Sequence, residues 1–89
     1  MRAIITVAGH DRVGITGEVC TLLSSANVNI LDINQTVMQE FFTMTMLVDT
    51  STANMGFDSI KKALREKGES MALAIHIQRE DIFNAMHRI

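Results

Sequence analysis

Apolar and polar residues alternate along this chain with two periods, and the switches between them mark its elements. Ala3-Ile4-Ile5-Thr6-Val7-Ala8 is short, rich in β-branched residues and closed by Gly9, which predicts a largely buried first strand. After Gly14 the spacing changes, and Ile15, Val19, Leu22, Leu23 and Ala26 fall on one face of a helix. Glu18 sits where an anion suits the helix dipole, and Asn27 is placed to end the helix in a left-handed conformation. From Val28 to Gln39 the sequence is extended again. Leu31, Ile33 and Val37 share one face there, and Ile30, Asp32, Asn34 and Thr36 the other. Faces of unlike polarity predict a sheet packed on one side only.

Gln39-Glu40 is the expected hairpin turn, although it lacks the Asn-Gly or Asp-Gly signal. Phe42, Met44, Met46 and Val48 then alternate with Phe41, Thr43, Thr45 and Leu47, a clear period of two and a third strand antiparallel to the second. Asp49 to Gly56 reads as a polar loop. From Phe57, the positions Ile60, Ala63 and Leu64 predict a second helix, with Gly68 just past its end as a C-cap. Met71, Leu73, Ile75 and Ile77 alternate with Ala72, Ala74, His76 and Gln78 as a fourth strand. Residues 79–89 carry Glu80 and Asp81 early and His87 and Arg88 late, the charge order that complements a helix dipole. Ile82, Phe83, Met86 and Ile89 would form the apolar stripe of that short third helix.

The order is β-α-β-β-α-β plus a tail helix. Two β-α-β crossovers sharing a hairpin predict an α+β, ferredoxin-like fold: a four-stranded antiparallel sheet with two helices on one face. The core is residues 1–78 and the C-terminal helix 79–89. Ile5, Val7, Leu31, Ile33, Phe42, Met44, Met46, Leu73 and Ile75 are expected to face the helices. Thr6, Asn34, Thr36, Thr43, Thr45, Ala74 and His76 are expected on the open face.

Composition narrows the possible functions. With 89 residues there is room for one domain, which buries roughly two-thirds of its unfolded surface, so association would add stability. A net charge of −2 without a basic run argues against nucleic acid. Aromatics are 4%, all Phe, which removes the usual base-stacking platform. The single cysteine, Cys20, suits a reducing cytosol and reads as a small core residue. With no signal peptide and no long apolar span, the expected location is the cytoplasm, with no membrane contact.

The chemistry concentrates in Gly9-His10-Asp11-Arg12-Val13-Gly14-Ile15, between the first strand and the first helix. A helix's first turn has N–H groups without intrahelical partners, and with the dipole these attract a carboxylate. Gly9 and Gly14 permit positive φ or close backbone approach. Asp11 either caps the helix or faces a ligand ammonium. The ordinary reading of such a turn is local, since Gly and Asp favour turns before helices. It is neither a Rossmann fingerprint nor a P-loop. Other ferredoxin-like functions lack their residues: no RNP motif, no Cys-x-x-Cys, and no glycine-rich loop around Arg12 of the acylphosphatase kind.

The strand at Ala3–Ala8, the Gly9–Ile15 loop and the segment Asn27-Val28-Asn29-Ile30 with the strand after it together resemble an ACT domain. More narrowly, the chain resembles a group of small stand-alone ACT proteins of bacteria and archaea. That group also ends in an Asp-Ile-Phe-x-Ala-Met helix, here Asp81-Ile82-Phe83-Asn84-Ala85-Met86. Related ACT domains occur in the repressor of glycine cleavage and in formyltetrahydrofolate deformylase. The resemblance implies a regulatory module that binds a small ligand, often an amino acid, at a homodimer interface, with no cofactor. It places ligand contacts at Asp11 and Gly14 of the loop and at Asn29 on the second strand, and Arg12, Val13 and Ile15 of the same loop complete the candidate site. Asp11 departs from the Asn often found in amino-acid-binding members; an acid there favours an ammonium and opposes a carboxylate. A ligand-free dimerisation or partner-regulating module is the alternative.

Residue chemistry alone agrees with a zwitterion, its carboxylate on N–H groups near Val13 to Ile15 and its ammonium on Asp11 or the Asn29 oxygen. At roughly 0.5–0.8 kcal/mol per heavy atom, an amino acid would bind in the millimolar to tens-of-micromolar range. An enzyme is the remote reading. His10 beside Asp11 has no nucleophile spaced to use it, and a metal site would need His10, His76 and His87 to converge. The tail stripe must rest on something, and the resemblance favours a partner subunit over the chain's own surface.

Overall fold

The computed structural model describes residues 1–81. The elements follow the expected order: β1 (Arg2–His10), α1 (Ile15–Ser25), β2 (Asn29–Met38), β3 (Phe41–Asp49), α2 (Phe57–Met71) and β4 (Ala74–Arg79). The strands form one antiparallel sheet in the order β2-β3-β1-β4, with β1 and β3 at the centre. This is the ferredoxin-like fold. The expected tail stripe of Ile82, Phe83, Met86 and Ile89, and His87 with it, lies outside the described residues.

The core forms where alternating side chains on the sheet meet the apolar stripes of the helices. Ile5, Val7, Phe42, Met44, Met46, Leu73 and Ile75 are buried, as their spacing predicts. From α1, Ile15, Val19 and Leu23 join them, and Ile60 and Leu64 join from α2. Thr6, Thr43, Thr45, Asn34, Thr36, Ala74 and His76 stand opposite one another across the other face. All of these are exposed except Thr6, which is half-buried.

α1 ends as its sequence predicts. Asn27 takes φ 57°, and the N–H groups of Val28 and Asn27 return to the carbonyls of Leu23 and Ser24. The hairpin turn is Gln39-Glu40, with Gln39 at φ 56°.

Three expectations are corrected. Leu31 and Ile33 do not join the core; they are 46% and 36% exposed. The register of β2 against β3 shifts between Ile30 and Asp32, so a bulge at Leu31 resets the alternation. Ile30 takes the helix side opposite Val48, and Ile33 also lies on that side, opposite Met46, but at the uncovered margin of the sheet. Gly68 does not end α2. It is buried inside the helix, because a Cβ there would lie 2.7 Å from the Leu73 carbonyl oxygen and 3.2 Å from Ile75 Cγ1. The left-handed residue is Ala72, at φ 57°, with the Leu73 N–H donating to the Gly68 carbonyl at 2.8 Å. Consequently Met71 is the buried last residue of α2, and the fourth strand begins at Ala74.

Candidate functional site

β1 delivers the chain to a short loop, residues 11–14, from which α1 departs. Gly14 holds φ 96°, the left-handed region where side chains are strained, and its carbonyl accepts the first helical bond from the Glu18 N–H at 2.9 Å. No side chain caps this end. Asp11 therefore does not cap α1. Its backbone N–H donates instead to the Glu40 carbonyl at 2.7 Å, tying the loop to the β2–β3 hairpin, and its carboxylate is exposed. Beside it the rings of His10 and Phe41 lie 5.5 Å apart. Gly9 serves close approach, but to the chain's own Leu73, whose Cδ2 would lie 2.5 Å from an added Cβ.

The loop thus presents an exposed carboxylate at Asp11, an exposed guanidinium at Arg12 and an exposed Val13 next to the open first turn of α1. Ile15, by contrast, turns its side chain into the core, so only its backbone can meet a ligand. A carboxylate held by the first-turn amides and an ammonium held by Asp11 is the pairing this arrangement can make.

Asn29 lies elsewhere. It opens β2 opposite Asp49, which pairs with Arg2 at the far end of β1 from His10. Eight residue steps separate the two ends of β1, about 26 Å at roughly 3.3 Å per step. Asn29 lines a cleft of about 470 Å³ with Cys20, Ser24, Asn27, Val28, Ile30 and Thr52. The cleft wall is fixed by Asn27, whose Nδ2 donates to the Thr52 carbonyl at 2.7 Å while the Thr52 hydroxyl donates to the Asn27 carbonyl at 3.2 Å. Cys20 is half-buried, packing against the core and lining this cleft. Sequence reasoning missed the cleft because its polar residues come from three separate segments. Within one chain, then, Asp11 to Ile15 are together and Asn29 is not with them.

Between the two ends runs the helix side of β2. The Thr16 hydroxyl, in the first turn of α1, donates to Gln35 Oε1 at 2.9 Å. Among the described residues, no helix is long and apolar enough to cross a membrane.

Comparison with known proteins returns one consistent family. The ACT domain profile matches residues 2–78. A UPF0237 protein of Clostridium acetobutylicum is 52% identical over 89 residues, spanning 100% of both chains. Among solved structures, an ACT domain protein from Streptococcus pneumoniae superposes with a TM-score of 0.82 at 38% identity, covering 98% of each chain. A candidate glycine cleavage system transcriptional repressor gives 0.77 at 30% identity, over 86% of this chain and 44% of that one. A formyltetrahydrofolate deformylase from Pseudomonas syringae gives 0.80 at 25% identity, over 88% of this chain and 27% of that one.

Proposed function

The chain belongs to the ACT domain family, whose domains are generally regulatory ligand-binding modules, and from that premise we propose that it is a cytoplasmic, non-catalytic homodimer sensing an amino acid. The ligand's carboxylate meets the first-turn amides of α1 near Val13 to Ile15. Its ammonium meets Asp11, with Arg12 and Gly14 shaping the loop and Asn29 supplied by the partner subunit.

The carrying observation is that Asp11, in the loop after β1 and tied to the β2–β3 hairpin, and Asn29, at the start of β2, lie at opposite ends of the sheet. β2 is the sheet's edge, and an antiparallel pairing of two β2 strands about a two-fold axis would set Asn29 opposite the partner's Met38. The hairpin beyond Met38 is already bonded to the Asp11 backbone. Two such half-sites would be completed at once, one at each end of the pairing. The side chains along this edge support association. Val37, Met38 and Phe41 are 54%, 68% and 50% exposed, in addition to Leu31 and Ile33. An uncovered apolar edge strand of this length is a surface that soluble proteins normally pair or protect.

Calorimetric titration with the common amino acids tests the proposal. Asp11→Ala and Asn29→Ala should each weaken binding by on the order of 1.5–3 kcal/mol, the worth of a hydrogen bond to a charged group, without unfolding the protein. Mixing the two variants and allowing subunits to exchange should restore binding, because each mixed dimer then holds one intact site and one doubly altered site. A mixture that binds no better than its components refutes the shared site. If no amino acid raises the melting temperature of the wild type, the module acts through dimerisation alone.

A further inference from the structure

On the far side of the sheet from β2, α2 and the outer strand β4 enclose a second cleft of about 300 Å³. Lys61 and Arg65 line it from the helix, His76 and Gln78 from the strand, above the apolar Ile75 and Ile77. Lys61 and Arg65 stand one helical turn apart, at the i, i+4 spacing where two like charges repel. Three other cations are neutralised locally, whereas Arg12 and Lys62, like Lys61 and Arg65, form no ion pair among the described residues but do not line this cleft. Lys67 bonds Glu18 at 3.0 Å, Arg2 bonds Glu80 at 2.8 Å and Arg79 bonds Asp81 at 2.9 Å. Lys61 and Arg65 form no ion pair among the described residues, although Asp58, Glu66 and Glu69 lie on the same helix. In a chain of net charge −2, two uncompensated cations converging on one cleft are a local reversal of sign.

From this juxtaposition we propose that the α2–β4 cleft binds a small organic dianion, a dicarboxylate or a phosphate monoester. The guanidinium of Arg65 takes one anionic group in a forked, two-bond geometry, and the ammonium of Lys61 supplies a compact charge for the other. Ile75 with Ile77 accepts its carbon skeleton, and the outer strand borders the ligand with its backbone at His76 and Gln78, the His76 side chain lying on the opposite face of the sheet. The volume is at the lower limit of ligand pockets, which suits a short molecule. Two cations without an aromatic residue in the cleft do not suit a nucleic acid strand, which needs a charge track and stacking platforms. The site is separate from the Asp11 loop and does not rest on the amino-acid reading.

The test is a nuclear magnetic resonance titration of the full-length protein with succinate and, in parallel, glycerol 3-phosphate, against sodium chloride at matched ionic strength. Expected are saturable shifts of the Lys61, Arg65 and His76 amides with millimolar or tighter affinity, absent with chloride. The double substitution Lys61→Gln with Arg65→Gln should weaken binding at least tenfold. Glutamine keeps the helix propensity of an exposed position, so the fold is retained, and a Lys62→Gln control should bind as the wild type does. Saturation by succinate alone assigns the dicarboxylate, and by glycerol 3-phosphate alone the phosphate monoester. Shifts that rise linearly with both probes and match those of chloride overturn the site, as does an undiminished affinity in the double variant.

Discussion

The two outer strands of this sheet carry similar amounts of apolar sequence and use it in opposite ways. β4 has six residues, and its alternation is fully cashed in: Ile75 and Ile77 are buried beneath α2, with Ile75 Cγ1 against the helix backbone at Gly68. β2 has ten residues, and none is fully buried. The first turn of α1 meets it at Gln35, and Ile33 and Val37 stay exposed. Among the described residues, the apolar residues of β4 therefore find their partners within the chain, and those of β2 do not. An apolar pattern without an intrachain partner is informative, because single-chain stability does not account for it.

The largest expected effect sharpens this contrast from the β4 side. Ile75→Ala should cost about 2–5 kcal/mol, lost transfer energy plus a cavity, in a region packed too closely to collapse. Chemical denaturation would show it as a lower midpoint with an unchanged slope. A cost under about 1 kcal/mol would mean that β4 is no better packed than β2, and the contrast would fail.

The next effect belongs to β2. Val37→Lys should leave the stability of the isolated protomer within about 0.5 kcal/mol, as for other exposed positions. It should nevertheless weaken dimerisation on the order of a hundredfold, about 2.7 kcal/mol, since each interface would bury two unpaired ammonium groups. Sedimentation equilibrium over a micromolar range reads this directly. Unchanged association in the variant would move the dimer interface off the β2 edge.

How far the sequence revealed this arrangement depends on how local the cause of each feature is. β1, α1 and β3 were legible because their periods run unbroken and Asn27 ends α1 by local backbone chemistry. The left-handed Gly14 was legible for the same reason. β2 was misread because the bulge at Leu31 is set by pairing with β3: it brings Ile30 to the same side as Ile33, and the exposure of Ile33 follows from how far the helices reach over the sheet. Gly68 was misread because its necessity comes from Leu73 and Ile75, contacts made only when α2 lies on β4. The composition of the loop at Asp11 to Gly14 was readable; its distance from Asn29 required the strand register.

The Gly68 correction carries a prediction of intermediate size. Ala72 holds φ 57°, where a Cβ crowds the following carbonyl, at a position that glycine usually fills. Ala72→Gly should therefore stabilise the protein by about 1 kcal/mol, relieving that strain at a modest entropic cost. Thermal unfolding of the variant would show a higher midpoint. A lower midpoint would mean that the methyl group of Ala72 contributes packing that outweighs the strain.

The smallest expected effect lies at the foot of the β2 edge, where Asp49 pairs in register with both Arg2 and Asn29. Its carboxyl is held down to about 2 from an ordinary 3.8, first by the Ser51 hydroxyl, which donates at 2.6 Å, then by the Ser51 backbone N–H at 2.9 Å. The N-terminal ammonium, 3.4 Å away, adds to this. A depressed folded-state value means that the ionised form is favoured by folding. Its contribution is therefore fully present above pH 3.8 and is lost as pH falls toward about 2. The group is exposed, so solvent screens the interaction and the effect is small. Melting curves of the wild type and of Asp49→Asn should differ at pH 6 and converge as pH falls to 2. Because the contacts lie within one chain, the same convergence should appear in a Val37→Lys background. A gap that persists at pH 2 would show that the charge on Asp49 is not what holds this turn, and a gap abolished by Val37→Lys would tie the turn to the dimer.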